Sequence, residues 1–222
     1  MSKVTREQAQ ANREALVSSA GRLFRARGVD AVGVDEICKA AGLTHGALYA
    51  HFASKEDLAT ASFAHGQKVS QQRMAAKLGQ APELIETLAF YVSSRQRDDK
   101  VNCCPMLASA SGASQRSHRY RRQFSAAFEA LSTTVEGPSK KGRRSADASH
   151  VIAAAMIGVV AVARALQSGD PELSQSLIEV SPRILATLKP RRKPASRRAG
   201  RHPVSRGTRV CSRGRVSPAL TK

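Results

Sequence analysis

The sequence predicts an all-α fold: a three-helix N-terminal domain, a larger helical body and a disordered basic tail. Three observations carry that prediction. Apolar residues recur at three- and four-residue spacing as far as Leu188, with no strand-like alternation. Alanine is abundant, aromatics make up 4% of the chain and Trp is absent, a mix that suits close-packed helices better than a sheet sandwich. Beyond Leu188 the composition turns abruptly to Arg, Pro, Gly and Ser, which cannot bury enough apolar surface to offset the entropy of ordering.

Leu16, Ala20, Leu23 and Phe24 lie on one stripe and define the first helix. Arg25 and Arg27 followed by Gly28 end it, with cations in the last turn and glycine just beyond. A second, shorter stripe holds Val34, Ile37, Cys38 and Ala41 and stops at Gly42. Thr44 caps a third helix containing Leu48 and Phe52, and Ser54 with Asp57 three residues on has the spacing of a capping box. The fourth helix runs to about Leu78, before Gly79 and Pro82. Leu84, Ile85, Leu88 and Val92 define the next, and DDKVNCCP at 98–105 reads as a loop. Tyr120, Phe124, Ala127, Phe128 and Leu131 make one helical face, and GPSKKGRRS at 137–145 reads as a flexible basic connector. Two further helices, at about 146–167 and 171–188, are divided by an SGDP turn. The expected domains are therefore 1–53, 54–188 and a tail at 189–222.

The formal charge is +19, but it is unevenly spread. The tail holds 12 of the 36 Lys and Arg and no acidic residue, which leaves 24 basic against 17 acidic residues in the rest, a net of +7. A moderately basic globule with a cationic tail suits a polyanion such as DNA. The competing account is a solvated surface with an inconsequential terminus. The N-terminal MSKVTREQAQANRE is too polar for a signal peptide, and the apolar run Val151 to Ala163 is too short to span a bilayer, so a cytoplasmic protein with no membrane contact is expected. No nucleophile–base pair, phosphate loop or set of metal-ligand spacings appears, so no enzyme, cofactor or metal site is expected.

The second and third helices are joined by about four residues that include a glycine, the helix-turn-helix spacing. The stretch from Leu16 to Leu58, with LFRARGVDAVGVDEICKAAGLTHGALYAHFASKEDL inside it, resembles the N-terminal domain of the TetR family of bacterial transcriptional repressors, most specifically through GALYAHFASKEDL. Further on, CCPMLASAS and VIAAAMIGVVAVARAL resemble one subgroup of that family, which has Gly-Cys-Pro where this chain has Cys103, Cys104 and Pro105. The resemblance implies an all-helical homodimer whose N-terminal helices bind a palindromic operator in double-stranded DNA. Its larger C-terminal domain would dimerise and bind a small-molecule inducer. The alternative is a charge-driven, sequence-independent nucleic-acid-binding protein with a helical oligomerisation body.

Within that frame the recognition helix covers about residues 44–51. Thr44 caps it and can meet a phosphate or base edge. His45 and Gly46 would face the major groove, Gly46 allowing close backbone approach and His45 donating to a phosphate or purine. Tyr49, beside the buried Leu48, should point away from the core toward a phosphate. His51 and Lys55 flank Phe52, and Lys55 lies in the first turn of a helix, where a cation gains nothing from the dipole and a phosphate partner would explain it. Phe90, Met106, Phe124, Phe128 and Met156 are candidates for an effector pocket, with plain core packing the competing use of each. Cys103 and Cys104 could sense oxidants if exposed and acidic. The helices at about 146–167 and 171–188, with Leu173, Leu177, Ile184 and Leu188, fit a four-helix dimer interface or an internal core. The tail either adds sequence-independent DNA affinity or is decoration.

Overall fold

The computed structural model describes residues 5–137 and 146–188. The expected connector beyond Gly137 and the expected disordered tail from Lys189 onward lie outside those residues. Among the described residues the regular elements are all helical: α1 (Arg6–Arg27), α2 (Val34–Ala41), α3 (His45–Tyr49), α4 (Lys55–Leu78), α5 (Leu84–Tyr91), α6 (Ser94–Asp98), α7 (Pro105–Ser109), α8 (His118–Glu136), α9 (Ala146–Leu166) and α10 (Pro171–Thr187). A short 3-10 turn spans Ala113–Gln115.

The helix ends follow local chemistry. Thr5 Oγ1 accepts from Gln8 N at 3.1 Å to open α1, and Gly28 closes it with φ 84°. The Ser54 hydroxyl accepts from Asp57 N at 3.1 Å and starts α4, while the full reciprocal capping box sits elsewhere, at Glu83 and Glu86 on α5.

Helix α4 packs on both α1 and α8, so it belongs to both the N-terminal bundle and the body. Helix α7 fills the angle between them and touches α1, α4, α8 and α9. In the body α9 is central, flanked by α8 and α10, with Ile152, Ala153, Met156, Val160 and Ala163 all fully buried. The apolar run read as 13 residues is part of a 21-residue helix, long and apolar enough by composition to cross a membrane, yet its inner face is taken up by this packing.

Some features differ from the sequence reading or lie outside it. Phe52 lies beyond α3 rather than within it, and is buried with the Arg13 guanidinium over its ring at 5.1 Å. Residues 94–98 and 105–109 form short helices, α6 and α7, at the two ends of the expected loop. The loop itself is fastened by distant side chains: Asp99 Oδ1 accepts from Val101 N and Asn102 N, while Arg25 and Arg73 donate to the Val101 and Asn102 carbonyls at 2.6 and 3.0 Å. Under α6, the nearly buried Arg97 donates to Asp98, Ser174 and Gln175, and Arg164 donates to the carbonyls of Gln96 and Arg97.

Candidate nucleic-acid interface

The turn between α2 and α3 is built by Gly42, whose φ of 69° lets its N–H bond back to α2 while Leu43 N reaches Cys38 O at 2.9 Å. Thr44 then caps α3, its Oγ1 accepting from Ala47 N at 3.2 Å. Leu48 has no exposed surface and packs into the core shared with Leu16, Ala20 and Ile37. Burying that one side chain turns the opposite side of α3 outward. Thr44, His45, Gly46 and Tyr49 are all exposed, and a Cβ built on Gly46 would meet open space.

Tyr49 is 51% exposed, so about half of its surface stands clear of the core. The rings of His45 and Tyr49, four residues apart, stack at 5.1 Å, and His45 Nδ1 lies 2.6 Å from Asp35 Oδ1 on α2. With Nδ1 engaged by that carboxylate, Nε2 is the free ring atom. Such an atom can accept from an amino group when the ring is neutral and donate to an acceptor when the ring is protonated.

His51 and Lys55 follow α3 in the chain and are half-buried. His51 lines a shallow recess with Arg13, Phe52, Asp57 and Arg119. Lys55 Nζ makes a long 3.5 Å bond to the Asp30 carbonyl, and among the described residues it has no ion-pair partner. Nearby, Arg116 pairs with both Asp30 and Glu56, tying the start of α8 to the α1–α2 turn and to α4. Sequence reading missed Arg116 because these partners lie 86 and 60 positions away.

The five residues expected to line one effector pocket are dispersed. Met156 is fully buried in the core, Phe124 packs on Phe63, and Phe128 stacks on His150. Phe90 edges a small crevice with Arg73, Asn102 and Cys103. Met106 borders a cavity of about 30 Å³ with Gln67, Tyr91 and Cys104, where the buried Tyr91 hydroxyl faces the Cys104 thiol. A cavity of about 150 Å³ lies instead where α1, α4 and α7 meet. Cys103 and Cys104 are both buried, so the exposure that oxidant sensing requires is absent at each, and burial also pushes the Cys104 thiol up.

Residues 16–61 match the family described as bacterial regulatory proteins, tetR family. The HTH-type transcriptional regulator AcrR of Shigella flexneri is 45% identical over 58 residues, so the match spans 26% of this chain and 27% of that curated relative. Among solved structures, a TetR transcriptional regulator from Chloroflexus aurantiacus is similar with a TM-score of 0.66 at 26% identity, over 82% of this chain and 95% of its own. A TetR-family transcriptional regulator from Cytophaga hutchinsonii gives 0.63 at 22%, over 85% and 98%.

Proposed function

We propose that this chain, which matches the TetR family of bacterial regulatory proteins over residues 16–61, is a repressor that binds a palindromic operator as a homodimer and is released by a small-molecule effector. The observation that carries this reading is the outward side of α3, where Thr44, His45, Gly46 and Tyr49 stand together because Leu48 is anchored beneath them. His45 and Gly46 would meet base edges, Tyr49 a phosphate, and His51 and Lys55 the flanking backbone. The unpaired Lys55 ammonium suits a phosphate partner.

The body offers a surface for the second copy. Along α9, Val151, Ala154, Gly158, Ala161 and Ala165 form an exposed stripe of small and apolar residues. Along α10, Leu173, Val180, Ile184 and Leu188 are exposed at matching helical spacing, with Leu177 half-buried between them. Two such helix pairs packed together would make a four-helix interface and set two recognition helices about 34–36 Å apart. The protein would act without catalysis, in the cytoplasm where its DNA lies. An effector would release it by favouring a packing whose recognition-helix spacing no longer fits the operator.

Selection of random duplexes by the full-length protein tests this reading. Enrichment of an inverted repeat with half-sites separated by about 10 bp, or a multiple, is expected. Retention of every duplex alike, with affinity set by salt alone, would instead establish the charge-driven alternative.

A further inference from the structure

The cavity of about 150 Å³ at the junction of α1, α4 and α7 has mostly apolar walls, among them Phe24, Val29, Phe63 and Pro105. Two guanidinium groups line it, and they are in different electrostatic states. Arg116 is neutralised by Asp30 and Glu56. Arg25 is half-buried, donates through Nε to the Val101 carbonyl, and has no carboxylate within ion-pair distance among the described residues.

Ser62 lines the same cavity, is 1% exposed, and its hydroxyl has no hydrogen-bond partner. A buried hydroxyl left unpartnered is costly and marks a place where a ligand or water completes the site. The two polar groups converge. A Cβ built on Gly21 would lie 3.2 Å from Arg25 Nη1 and 3.7 Å from Ser62 Cβ, so both border the same spot. Gly66 on α4 admits the arginine, since a Cβ there would sit 2.8 Å from Nη1 and 2.7 Å from Pro105 Cγ.

We propose that this junction cavity binds a small organic monoanion, a carboxylate on a compact apolar body, with the carboxylate held by Arg25 and Ser62 and the body by the apolar walls. A cavity of about 150 Å³ has room for a body about the size of benzene, and it is open on one side. One guanidinium without a carboxylate partner fits one negative charge, in the charge-assisted geometry that arginine favours. This rests on the repressor reading and supplies the effector's class and seat. The occupant lies between the end of α1, in the DNA-binding bundle, and α7, in the body, so filling the cavity changes how the bundle is held.

Calorimetry on the full-length protein without DNA tests the proposal, using benzoate, cyclohexanecarboxylate and hexanoate, each against its uncharged primary amide. At least one carboxylate is expected to bind, with its amide at least tenfold weaker. Arg25→Met, Ser62→Ala and the cavity-filling Ala108→Leu should each weaken that carboxylate, the first and last at least tenfold, while Met74→Leu in the neighbouring small cavity leaves it unchanged. Thermal melts establish which variants fold, and Ser62→Ala and Ala108→Leu decide the matter if Arg25→Met does not. Absence of binding by all three carboxylates, equal binding of acid and amide, or undiminished affinity in the folded variants overturns it. Operator binding is measured separately by anisotropy. A protein that binds its operator but no carboxylate sinks this proposal alone, whereas carboxylate binding without sequence-specific DNA binding sinks the repressor reading.

Discussion

The imidazole of His45 lies on the ring of Tyr49, with centroids 5.1 Å apart and planes inclined by 23°. Asp35 holds the other edge of the imidazole at 2.6 Å. The pair is thereby ordered before any duplex arrives, which lowers the entropy cost of forming contacts through it.

Tyr49→Ala should therefore separate binding from folding. The side chain is half-exposed and its ring contact is with His45, so stability should change by less than about 0.5 kcal/mol. Operator affinity should fall roughly tenfold, about 1.4 kcal/mol. Anisotropy titrations beside thermal melts check both, and a matching loss in Tyr49→Phe would assign the effect to the hydroxyl.

Leu48→Ala should do the opposite. A fully buried leucine truncated to alanine costs about 2 to 5 kcal/mol. DNA binding should fail only to the extent that the protein unfolds, and should return on cooling below the lowered Tm. Circular dichroism melts and anisotropy at several temperatures distinguish this from loss of a contact.

Asp98→Asn should lower stability in a pH-dependent way. The hydrogen bond from Arg97, with help from Gln167, holds the Asp98 carboxyl below its ordinary value. A depressed folded-state pKa stabilises the protein above the usual carboxylate pKa, and that contribution disappears as pH falls through the lower, folded value. Asp98 is half-exposed, so the effect should be about 1 kcal/mol or less. Melts at pH 7 should show the variant less stable, with the gap closing below about pH 4.

Ile184→Asp should yield a monomer. Ile184 is 57% exposed on the α10 stripe, so a charge there leaves the protomer's own core intact while disfavouring an apolar interface. Sedimentation should show half the wild-type mass with unchanged helicity. Affinity for the full inverted repeat should fall toward that for one half-site.

The helices were legible because their signals are local. The stripe of Leu16, Ala20 and Phe24, the Thr44 cap and the glycines after α1 and α2 each act within a turn or two, and the structure has each where its spacing implies. The same locality explains the misses. Phe52 continues the helical spacing of Leu48, but it is buried from the turn that follows α3. Phe90, Met106, Phe124, Phe128 and Met156 look alike as apolar residues on helices, and only tertiary packing separates a wall from a core. Arg25 read as a cation favourable to a helix end, which it is, while its bond to Val101 spans 76 positions that no periodicity connects. One hint was present. Gly21 and Gly66 are glycines inside long helices, an unfavourable choice that asks for a close neighbour, and Arg25 is the neighbour of both.

The bare backbone at position 66 thus works as a one-letter marker for sorting kin. In a homologue with alanine or anything bulkier there, the arginine from the first helix or the proline ring would have to shift. If the junction cavity is the effector's seat as proposed, such a homologue would recognise its own effector by other means, however closely its helix-turn-helix agrees with this one. Resemblance between reading ends therefore says little about shared signals, and this inconspicuous glycine says more.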